Sequence, residues 1–360
     1  MRIAQIAPLA EAVPPRLYGG TERVAAHLCD ALVELGQDVT LFASAESRTR
    51  AHLVPMRDEA MRLDSAPLKS ELAAHLTMLH EVRRRARDFD IFHFHIDLMH
   101  FPLFEPWAAK TLTTLHGRLD LKDLPQAYAR WPQFGLVSIS DSQRTPLPDA
   151  HWLGTVPHGI PAAQFPFQAR PRGGYLAFLG RISPEKRPEV AIRLAHAARV
   201  PLRIAAKVDL PDTEYFEARV KPLLDDPLSE FIGEIGDSAK AEFLGQASAL
   251  LFPINWPEPF GLVMIEAMAC GTPVIAWDRG ATSEVIQSGV NGFIVNSEAE
   301  AQQAIARLPE LDRRVVRASF ERLYTSNVMA RAYLDLYTHL LRVPTPAATA
   351  GMVRQSRERY

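Results

Sequence analysis

Short apolar runs alternate with longer stretches of helical periodicity along almost the whole chain. In the first half the runs predict five strands, at residues 2–7, 38–43, 90–94, 111–115 and 134–140. In the second half they predict six more, at residues 175–180, 202–206, 229–232, 249–253, 273–277 and 292–295. Helical spacing between these runs predicts helices at 21–35, 69–87, 185–198, 212–223, 239–247 and 262–269. This alternation is typical of parallel sheets covered by helices on both faces.

One irregular segment divides this rhythm into two parts. Residues 157–174 hold four prolines and three glycines, which favours an interdomain linker. The sequence therefore predicts an α/β protein of two tandem, doubly wound parallel-sheet domains, residues 1–160 and 161–325. A last helix is expected at about 326–342, followed by a flexible tail at 343–360. Because ligands bind beyond the carboxyl ends of parallel strands, we expect the active site in the cleft between the domains.

Composition narrows the class of protein. The 360 residues are 47% hydrophobic and 23% charged, as in a globular protein. A formal net charge of −2 argues against a nucleic-acid partner. The two cysteines, Cys29 and Cys270, lie far apart in apolar contexts, so no disulfide is expected. With neither a signal-peptide core nor an apolar run of about 20 residues, a cytoplasmic location is predicted.

The segment E-P-F-G-L-V-M-I-E places two carboxylates, Glu258 and Glu266, eight residues apart. Pro259 and Gly261 favour a loop, whereas the apolar run after them predicts the start of a buried helix. Both carboxylates can then face one ligand at the helix N-terminus. A loop carboxylate beside an ordinary early-helix glutamate explains the same pattern equally well.

A basic segment, G-R-I-S-P-E-K-R at 180–187, follows a predicted strand. Ser183 and Pro184 predict a helix start, with Arg181 on the loop and Lys186 in the first helical turn. A cation in a first turn opposes the helix dipole. We therefore favour a diphosphate site over a solvated charged turn.

A glycine pair occurs in Y-G-G-T-E-R at 18–23. Gly19 and Gly20 allow a ligand to approach the backbone, and Thr21 is the expected helix N-cap. An ordinary turn and cap is the alternative interpretation. The dinucleotide fingerprint G-x-G-x-x-G is absent here, which argues against a nicotinamide or flavin enzyme.

Histidines follow or occupy two of the predicted strands. His116 comes directly after a strand, where a cleft residue belongs, although a capping or core histidine fits as well. His93 and His95 share one strand face. They lack a convincing third ligand, so we expect no metal there and expect one or both side chains to be buried. His158 either reaches the cleft or shapes a turn at the linker. Glu284 follows a strand-to-helix turn, where it is either a supporting carboxylate of the site or an ordinary first-turn residue.

The run R-R-R-A-R at 83–87 closes a predicted helix. Its cations offset the negative end of the helix dipole, and we favour this solvated helix end over contact with an anionic membrane.

Taken together, these motifs resemble the retaining GT-B glycosyltransferases of family GT4. The resemblance covers most of the chain and is densest in F-L-G-R-I-S-P-E-K at 178–186, E-P-F-G-L-V-M-I-E-A-M-A-C-G-T-P-V-I-A at 258–276, and G-A-T-S-E-V-I-Q-S-G-V-N-G-F-I-V at 280–295. Y-G-G-T-E-R-V at 18–24 is a weaker match. The resemblance implies two Rossmann-like domains, with a nucleotide-sugar donor held mainly by the second. The last helix is expected to pack back on the first domain.

The resemblance also implies roles for individual residues. Arg181 and Lys186 match cations on the donor diphosphate, Glu258 a carboxylate on the transferred sugar, and Glu266 one on the ribose hydroxyls. Backbone groups near the sugar and phosphates match at Phe260, Gly261, Leu262 and Val263. Gly20, beside Gly19, matches a glycine loop near the diphosphate. His116 matches a histidine near the reacting sugar. His158 departs from the family, whose members often carry Asn there.

With these residues in place, the resemblance implies a metal-independent retaining hexosyltransferase that uses a UDP-sugar and no cofactor. Charge on the departing diphosphate would be stabilised by the cations and by helix N-termini, and the acceptor would attack on the same face. A glycosidase-like double displacement is not expected, because a ribose-bound Glu266 is too far from the anomeric carbon. A nucleotide-sugar epimerase or phosphorylase on the same fold, and a non-catalytic nucleotide-sugar binding protein, are the alternatives.

The sequence leaves the acceptor open. A small molecule, a lipid-linked acceptor and a polysaccharide all fit, as do several oligomeric states. Acceptor contacts are expected on first-domain loops at 9–17 and 98–107. In the second loop, Phe101, Phe104 and Trp107 either form an aromatic wall or pack in the core.

Overall fold

The computed structural model describes residues 1–16 and 19–342. Tyr18 of the glycine motif, Leu17 of the first acceptor loop and the predicted tail at 343–360 lie outside the described residues. The described chain folds around two parallel sheets, one formed before residue 156 and the other after residue 175.

The first sheet has seven parallel strands in the order β3-β2-β1-β4-β5-β6-β7. Its strands are β1 Arg2–Ile6, β2 Asp38–Ala43, β3 His52–Pro55, β4 Ile91–Phe94, β5 Thr111–Thr114, β6 Gly135–Ser138 and β7 Trp152–Thr155. The order reverses between β1 and β4, so the loops that follow these two strands diverge and leave a crevice at the sheet edge.

The second sheet has six parallel strands in the order β10-β9-β8-β11-β12-β13. Its strands are β8 Leu176–Ile182, β9 Leu202–Val208, β10 Ser229–Gly233, β11 Ala249–Phe252, β12 Val274–Trp277 and β13 Gly292–Val295. Here the order reverses between β8 and β11. The basic motif follows β8 and the acidic motif follows β11, so both motifs lie at this second crevice.

Helices cover both faces of the two sheets. Around the first sheet they are α1 Gly20–Glu34, α2 Glu71–Arg84, α3 Phe101–Phe104, α4 Leu124–Ala129 and α5 Asp141–Arg144. The later helices are α6 Pro188–Ala198, α7 Thr213–Tyr215, α8 Asp237–Gly245, α9 Leu262–Ala269, α10 Thr282–Val285, α11 Glu298–Ala306, α12 Arg313–Leu323 and α13 Ser326–Arg342.

Every predicted strand is present, with ends that move by two residues or fewer, but two edge strands, β3 and β7, were not predicted. Two predicted helices differ from the structure. The helix expected at 185–198 begins only at Pro188, and the one expected at 212–223 is broken into short turns of different pitch. The segment 98–107, expected as a loop, contains α3 and the start of a 3-10 helix at Glu105–Lys110.

The last helix, α13, returns to the first sheet. Its apolar stripe includes Tyr333 and Tyr337, both fully buried, in one hydrophobic cluster with α1 and the inner strands. Residues four apart share one face of a helix, so this spacing turns both rings toward the sheet. The chain therefore crosses between the domains twice, once before β8 and once before α13.

The two crossings lie side by side. Ile160 donates its N–H to the carbonyl of Tyr324 at 3.0 Å, and Ser326 donates its N–H to the carbonyl of Ile160 at 2.9 Å. A Cβ atom at Gly159 would lie only 2.4 Å from the carbonyl oxygen of Thr325. Glycine is required there because the two crossing segments approach too closely for a side chain.

Candidate functional site

A cavity of about 490 Å³ lies between the two domains, where the crevices of the two sheets face each other. Its lining includes every residue that the sequence singled out for the site. These are Gly19, Gly20 and His116 from the first domain, and Arg181, Lys186, Glu258, Phe260, Gly261, Leu262, Val263 and Glu266 from the second. The structure thus brings together groups that are up to 247 positions apart in the chain.

Lys186 and Glu258 form an ion pair at the base of this cleft, and both side chains are largely buried. Trp256 donates its indole N–H to the same carboxylate oxygen of Glu258 at 2.9 Å. The Lys186 ammonium also lies 5.3 Å from the ring centroid of Trp256. In this state the two charges neutralise each other.

Ser183 and Pro184 predicted that Lys186 lies in the first turn of a helix, and the structure shows that it does not. Residues 183–186 form a turn, and α6 starts at Pro188 after Arg187, which adopts a left-handed conformation with φ 52°. The Ser183 hydroxyl is buried and caps nothing among the described residues. The prediction was wrong because proline also occupies turns, where its fixed φ is equally acceptable.

Arg181 lies at the end of β8, half-exposed in the cleft wall. Its guanidinium donates to Glu185 at 3.0 Å, and its Nε is 3.8 Å from a carboxylate oxygen of Asp212. Two carboxylates therefore hold this cation at the cleft. Arg181 also lines the cavity.

Glu266 belongs to a second, separate charge cluster. It lies in the second turn of α9 and is 3.4 Å from the ammonium of Lys240, which is also 3.4 Å from Asp237. Arg23 of α1 pairs with Asp237 across the domain boundary. Glu258 and Glu266 thus have different cationic partners, so they do not share a proton as an acid–base dyad would.

Lys240 and Arg23 also line the cleft, and sequence reasoning missed both. A signal for Lys240 was available. Lys240 lies in the first turn of α8, where a cation opposes the helix dipole. This is the argument that was applied to Lys186. Arg23 gave no such signal, because its partner is 214 positions away in the chain.

The glycine loop enters α1 through Gly19, which is the N-cap residue. The prediction that Thr21 caps this helix was wrong, because α1 begins one residue before it, at Gly20. Gly20 approaches Leu262 of the second domain, whose side chain would lie 3.8 Å from a Cβ atom at that position. The two glycines therefore bring bare backbone to the cleft opposite the acidic motif.

The backbone of Glu258 is packed against Gly280. A Cβ atom at Gly280 would lie 2.3 Å from the Glu258 carbonyl oxygen, and Gly280 itself has φ +64°. Ala281 donates its N–H to the same carbonyl at 2.9 Å. The turn before α10 thus fixes the position of the Glu258 backbone.

Gly280→Ala is expected to shift the Glu258 backbone and to lower catalytic activity by about a hundredfold. Gly289 is the matched control, because it also has positive φ, +78°, but a Cβ atom there would have no neighbouring atom within 4 Å. Gly289→Ala should cost about 1 kcal/mol of folding free energy and leave activity unchanged. Equal activity of the two variants would show that the contact with Glu258 is dispensable.

His116 closes the first-domain side of the cleft. Its Nε2 is 2.8 Å from Nδ1 of His95, and its ring lies over that of His158, with centroids 5.2 Å apart. His158 in turn packs edge-on against Phe260 of the acidic motif. Burial lowers the pKa of His116 to about 3, so its imidazole is neutral at pH 7.

His93 in β4 and His95 directly after this strand are both buried, as predicted. Burial lowers the pKa of both well below 6.5. Within residues 1–16 and 19–342, no three His, Cys, Asp or Glu side chains are grouped to hold a metal ion. Over the same residues, no helix has both the length and the apolar content needed to cross a membrane.

Glu284 lies in the first turn of α10, as one of its two interpretations had it. It also makes a contact that neither interpretation predicted. Its carboxylate accepts the backbone N–H groups of Asp141 at 2.8 Å and Ser142 at 2.7 Å, at the start of α5 in the other domain. Glu284 therefore links the two domains through these two hydrogen bonds.

The structure also settles the aromatic residues expected on the acceptor side. Phe101 and Phe104 are fully buried, so they pack in the core and form no acceptor wall. Arg83, which starts the basic run, is exposed at the end of α2 and lies over Trp107 at 5.8 Å.

Comparison with known proteins places both halves of the chain. A family model described as Glycosyl transferases group 1 matches residues 161–316, and one described as Glycosyltransferase Family 4 matches residues 18–145. A phosphatidyl-myo-inositol mannosyltransferase of Mycobacterium leprae is 28% identical over 389 residues, covering 98% of each chain. A glycogen synthase of Mycobacterium tuberculosis is 27% identical, covering 86% of this chain and 88% of its own.

A solved structure resembles the whole fold. AviGT4, a glycosyltransferase involved in avilamycin A biosynthesis, is 25% identical and superposes with a TM-score of 0.74, covering 96% of this chain and 99% of its own.

Proposed function

Because the chain belongs to the GT4 glycosyltransferases, as family models over residues 18–145 and 161–316 establish, we propose that its donor is a nucleotide-diphosphate sugar. The protein is a hexosyltransferase of GT-B fold, which confirms the prediction from its motifs. The cleft observation that carries the proposal is the convergence of two cations, Arg181 and Lys186, with two separately paired carboxylates, Glu258 and Glu266.

In this proposal, each charged group of the cleft has its own part of the donor. Arg181 and Lys186 bind the diphosphate, because both carry fixed positive charge at the carboxyl end of β8. Glu258, released from Lys186, accepts hydroxyl groups of the transferred sugar. Glu266, in the second turn of α9, accepts those of the ribose. Backbone groups of Phe260, Gly261, Leu262 and Val263 lie between them.

Departure of the nucleotide diphosphate is the step that needs stabilisation, since negative charge accumulates on its oxygen. Arg181, and Lys186 once the bound diphosphate has drawn it from Glu258, are in place before the bond breaks, so they stabilise that charge without further reorganisation. We propose that they make a divalent metal unnecessary. Since Glu258 and Glu266 lie in separate ion pairs, we further propose that the acceptor attacks on the face from which the diphosphate leaves, with retention of configuration.

The nucleobase of the donor and the identity of the acceptor are two further parts of the proposal. We propose a UDP-sugar, a choice that rests on the family resemblance alone. The acceptor is a hydroxyl compound bound from the first-domain side. The relatives' names point to acceptors as different as a phospholipid and a glucan, so they select no class for this chain.

A donor panel tests the proposal directly. Thermal unfolding is measured with UDP-, GDP- and ADP-sugars at 100 times their Kd, where binding stabilises the fold by about 2.7 kcal/mol. We expect UDP-sugars to raise Tm with and without EDTA, and Lys186→Ala to remove the effect. No rise with any nucleotide sugar would contradict a donor of this class.

The products identify the reaction. On incubation with the donor alone, slow release of nucleotide diphosphate and of a sugar with unchanged anomeric configuration is expected. An epimerised nucleotide sugar, or turnover that requires inorganic phosphate, would instead indicate an epimerase or a phosphorylase.

A further inference from the structure

A chain of seven polar side chains runs from the cleft into the core of the first domain. Each link is a hydrogen bond of 2.7–3.1 Å, and all members after the first are buried. In order, the members are His116, His95, Gln5, Tyr337, His93, Thr114 and Tyr333. The first member lines the cleft, whereas Tyr337 and Tyr333 belong to α13.

The orientation of the Gln5 amide determines the protons on the cleft side. Its carbonyl oxygen is 2.8 Å from Nε2 of His95 and can only accept, so His95 carries its proton on Nε2. A neutral imidazole has one N–H group, and His95 Nδ1 is therefore an acceptor. The bond between His95 Nδ1 and His116 Nε2 then requires the proton of His116 to be on Nε2.

The same amide determines the protons on the helix side. Its nitrogen donates to the hydroxyl of Tyr337 at 3.1 Å, so this hydroxyl gives its own proton to Nδ1 of His93. His93 must then donate from Nε2 to Thr114. Burial keeps the pKa of Tyr337 far above 10, so its hydroxyl stays protonated. Every link has one donor and one acceptor, which makes the chain self-consistent in this direction.

We propose that Gln5 and Tyr337 are positioning residues that, through His95, hold His116 in its Nε2–H tautomer. In this tautomer the other ring nitrogen of His116, Nδ1, is an acceptor; it is buried in this state and has no hydrogen-bond partner among the described residues. A hydroxyl of the sugar donor or of the acceptor that bonds this imidazole must therefore donate to it. The inference rests on the proposed function, because it assigns a role in binding a sugar hydroxyl.

Reversal of the Gln5 amide is the arrangement that this positioning prevents. If Gln5 donated to His95 instead, each proton in the chain would move to the opposite partner, and Nδ1 of His116 would carry a hydrogen. The ring would then present a donor where the sugar hydroxyl needs an acceptor. In the structure the Tyr337 hydroxyl accepts from the amide nitrogen. Without that hydroxyl the N–H2 group would face the core with no acceptor, which favours the reversed amide. Through this one hydroxyl α13 therefore acts on the cleft.

Nitrogen NMR of the full chain, labelled with ¹⁵N-histidine, reads the tautomers without any assay of transfer. Signals of His116 and His95 are assigned from the spectra of His116→Gln and His95→Gln. In the unsubstituted protein, both rings are expected to be protonated at Nε2 and bare at Nδ1. In Tyr337→Phe, the Gln5 amide loses its acceptor, and the His116 signals should move toward those of a tautomer mixture.

Kinetics of the same variants complete the test. Tyr337→Phe is expected to lower kcat about tenfold and to leave KM for the donor nearly unchanged, because the diphosphate and ribose contacts remain. Tyr333→Phe is the matched control: it removes the same atom from the same helix, but at the far end of the chain. It should alter neither the His116 signals nor kcat. Tm measurements show whether each variant is folded.

Two outcomes would overturn the proposal: a proton on Nδ1 of His116 in the unsubstituted protein, or identical His116 signals in Tyr337→Phe and Tyr333→Phe. Neither outcome depends on which sugar is transferred. If the donor panel fails while the tautomers behave as expected, the proposed donor is wrong and the positioning chain stands.

Discussion

Replacement of Lys186 by alanine is expected to lower kcat/KM for sugar transfer by about a thousandfold, or about 4 kcal/mol of transition-state stabilisation. Two effects act in the same direction. The substitution removes a cation from the departing diphosphate, and it leaves the carboxylate of Glu258, largely buried, without its ionic partner. That carboxylate would then repel the ligand whose charge Lys186 neutralises.

The two contributions can be separated by a second substitution. Lys186→Ala combined with Glu258→Gln should restore part of the affinity for nucleotide diphosphate, since the uncompensated charge is gone, while transfer stays lost. Lys221→Ala, which removes an exposed lysine paired with Glu217, is the control and should behave as the unsubstituted protein. Turnover of Lys186→Ala within threefold of the control would exclude the assigned role.

Acidification is expected to unfold the protein between about pH 6 and pH 5, because buried histidines hold their neutral form. Burial lowers the pKa of His27 to about 4, and those of His93, His95, His100 and His158 well below 6.5. In the unfolded chain each titrates near 6.5. The unfolded state therefore binds more protons than the folded state, and the free energy of unfolding falls as the pH decreases through 6.5.

The size of the effect follows from linkage. Each such histidine, His116 included, removes about 2 kcal/mol of folding free energy between pH 7 and pH 5, so the six together remove about 12 kcal/mol, comparable to the stability of a typical domain. Glu22 and Asp97 act in the opposite direction, since burial raises the pKa of each, but they are two groups against six histidines. Urea unfolding at pH 7.5, 6.5 and 5.5 measures the slope.

His100→Phe provides a sharper measurement of the same effect. The His100 ring stacks on Phe94 with centroids 3.7 Å apart, so phenylalanine keeps the packing and removes one titrating group. This variant should be less stable at pH 7.5 but lose less stability on acidification. His80→Asn removes an exposed histidine and should leave the slope unchanged. Equal slopes for all three proteins would contradict the linkage.

The parts of the fold that were predicted correctly are those buried on both sides. Inner strands such as β11 and β12 are continuous apolar runs, because helices cover both of their faces. The two strands that were missed, β3 and β7, lie at the two ends of the first sheet. An edge strand needs fewer apolar residues, and His52–Pro55 and Trp152–Thr155 are short and partly exposed.

The site was predicted as a set of residues more accurately than as local structure. Glu258 and Glu266 were placed correctly on a loop and in a helix, because proline, glycine and an apolar run mark that boundary clearly. Lys186 was assigned to the cleft correctly but to the wrong backbone, since Ser-Pro occurs at both turns and helix starts. The ion pair between Lys186 and Glu258 joins residues 72 positions apart and has no local signal.

The paired crossing segments at Ile160 and at 324–326 constrain how the domains can move. A single covalent connection would allow rotation in any direction, including torsion about its own length. Two segments joined by backbone hydrogen bonds resist torsion and shear, and they leave bending about the line of the pair as the soft motion. Opening and closing should therefore retrace one arc, and each closure returns Lys186 and His116 to the same separation. In the proposed function the groups that contact the donor come from both domains, and a single path of closure would bring them to the same arrangement at every turnover.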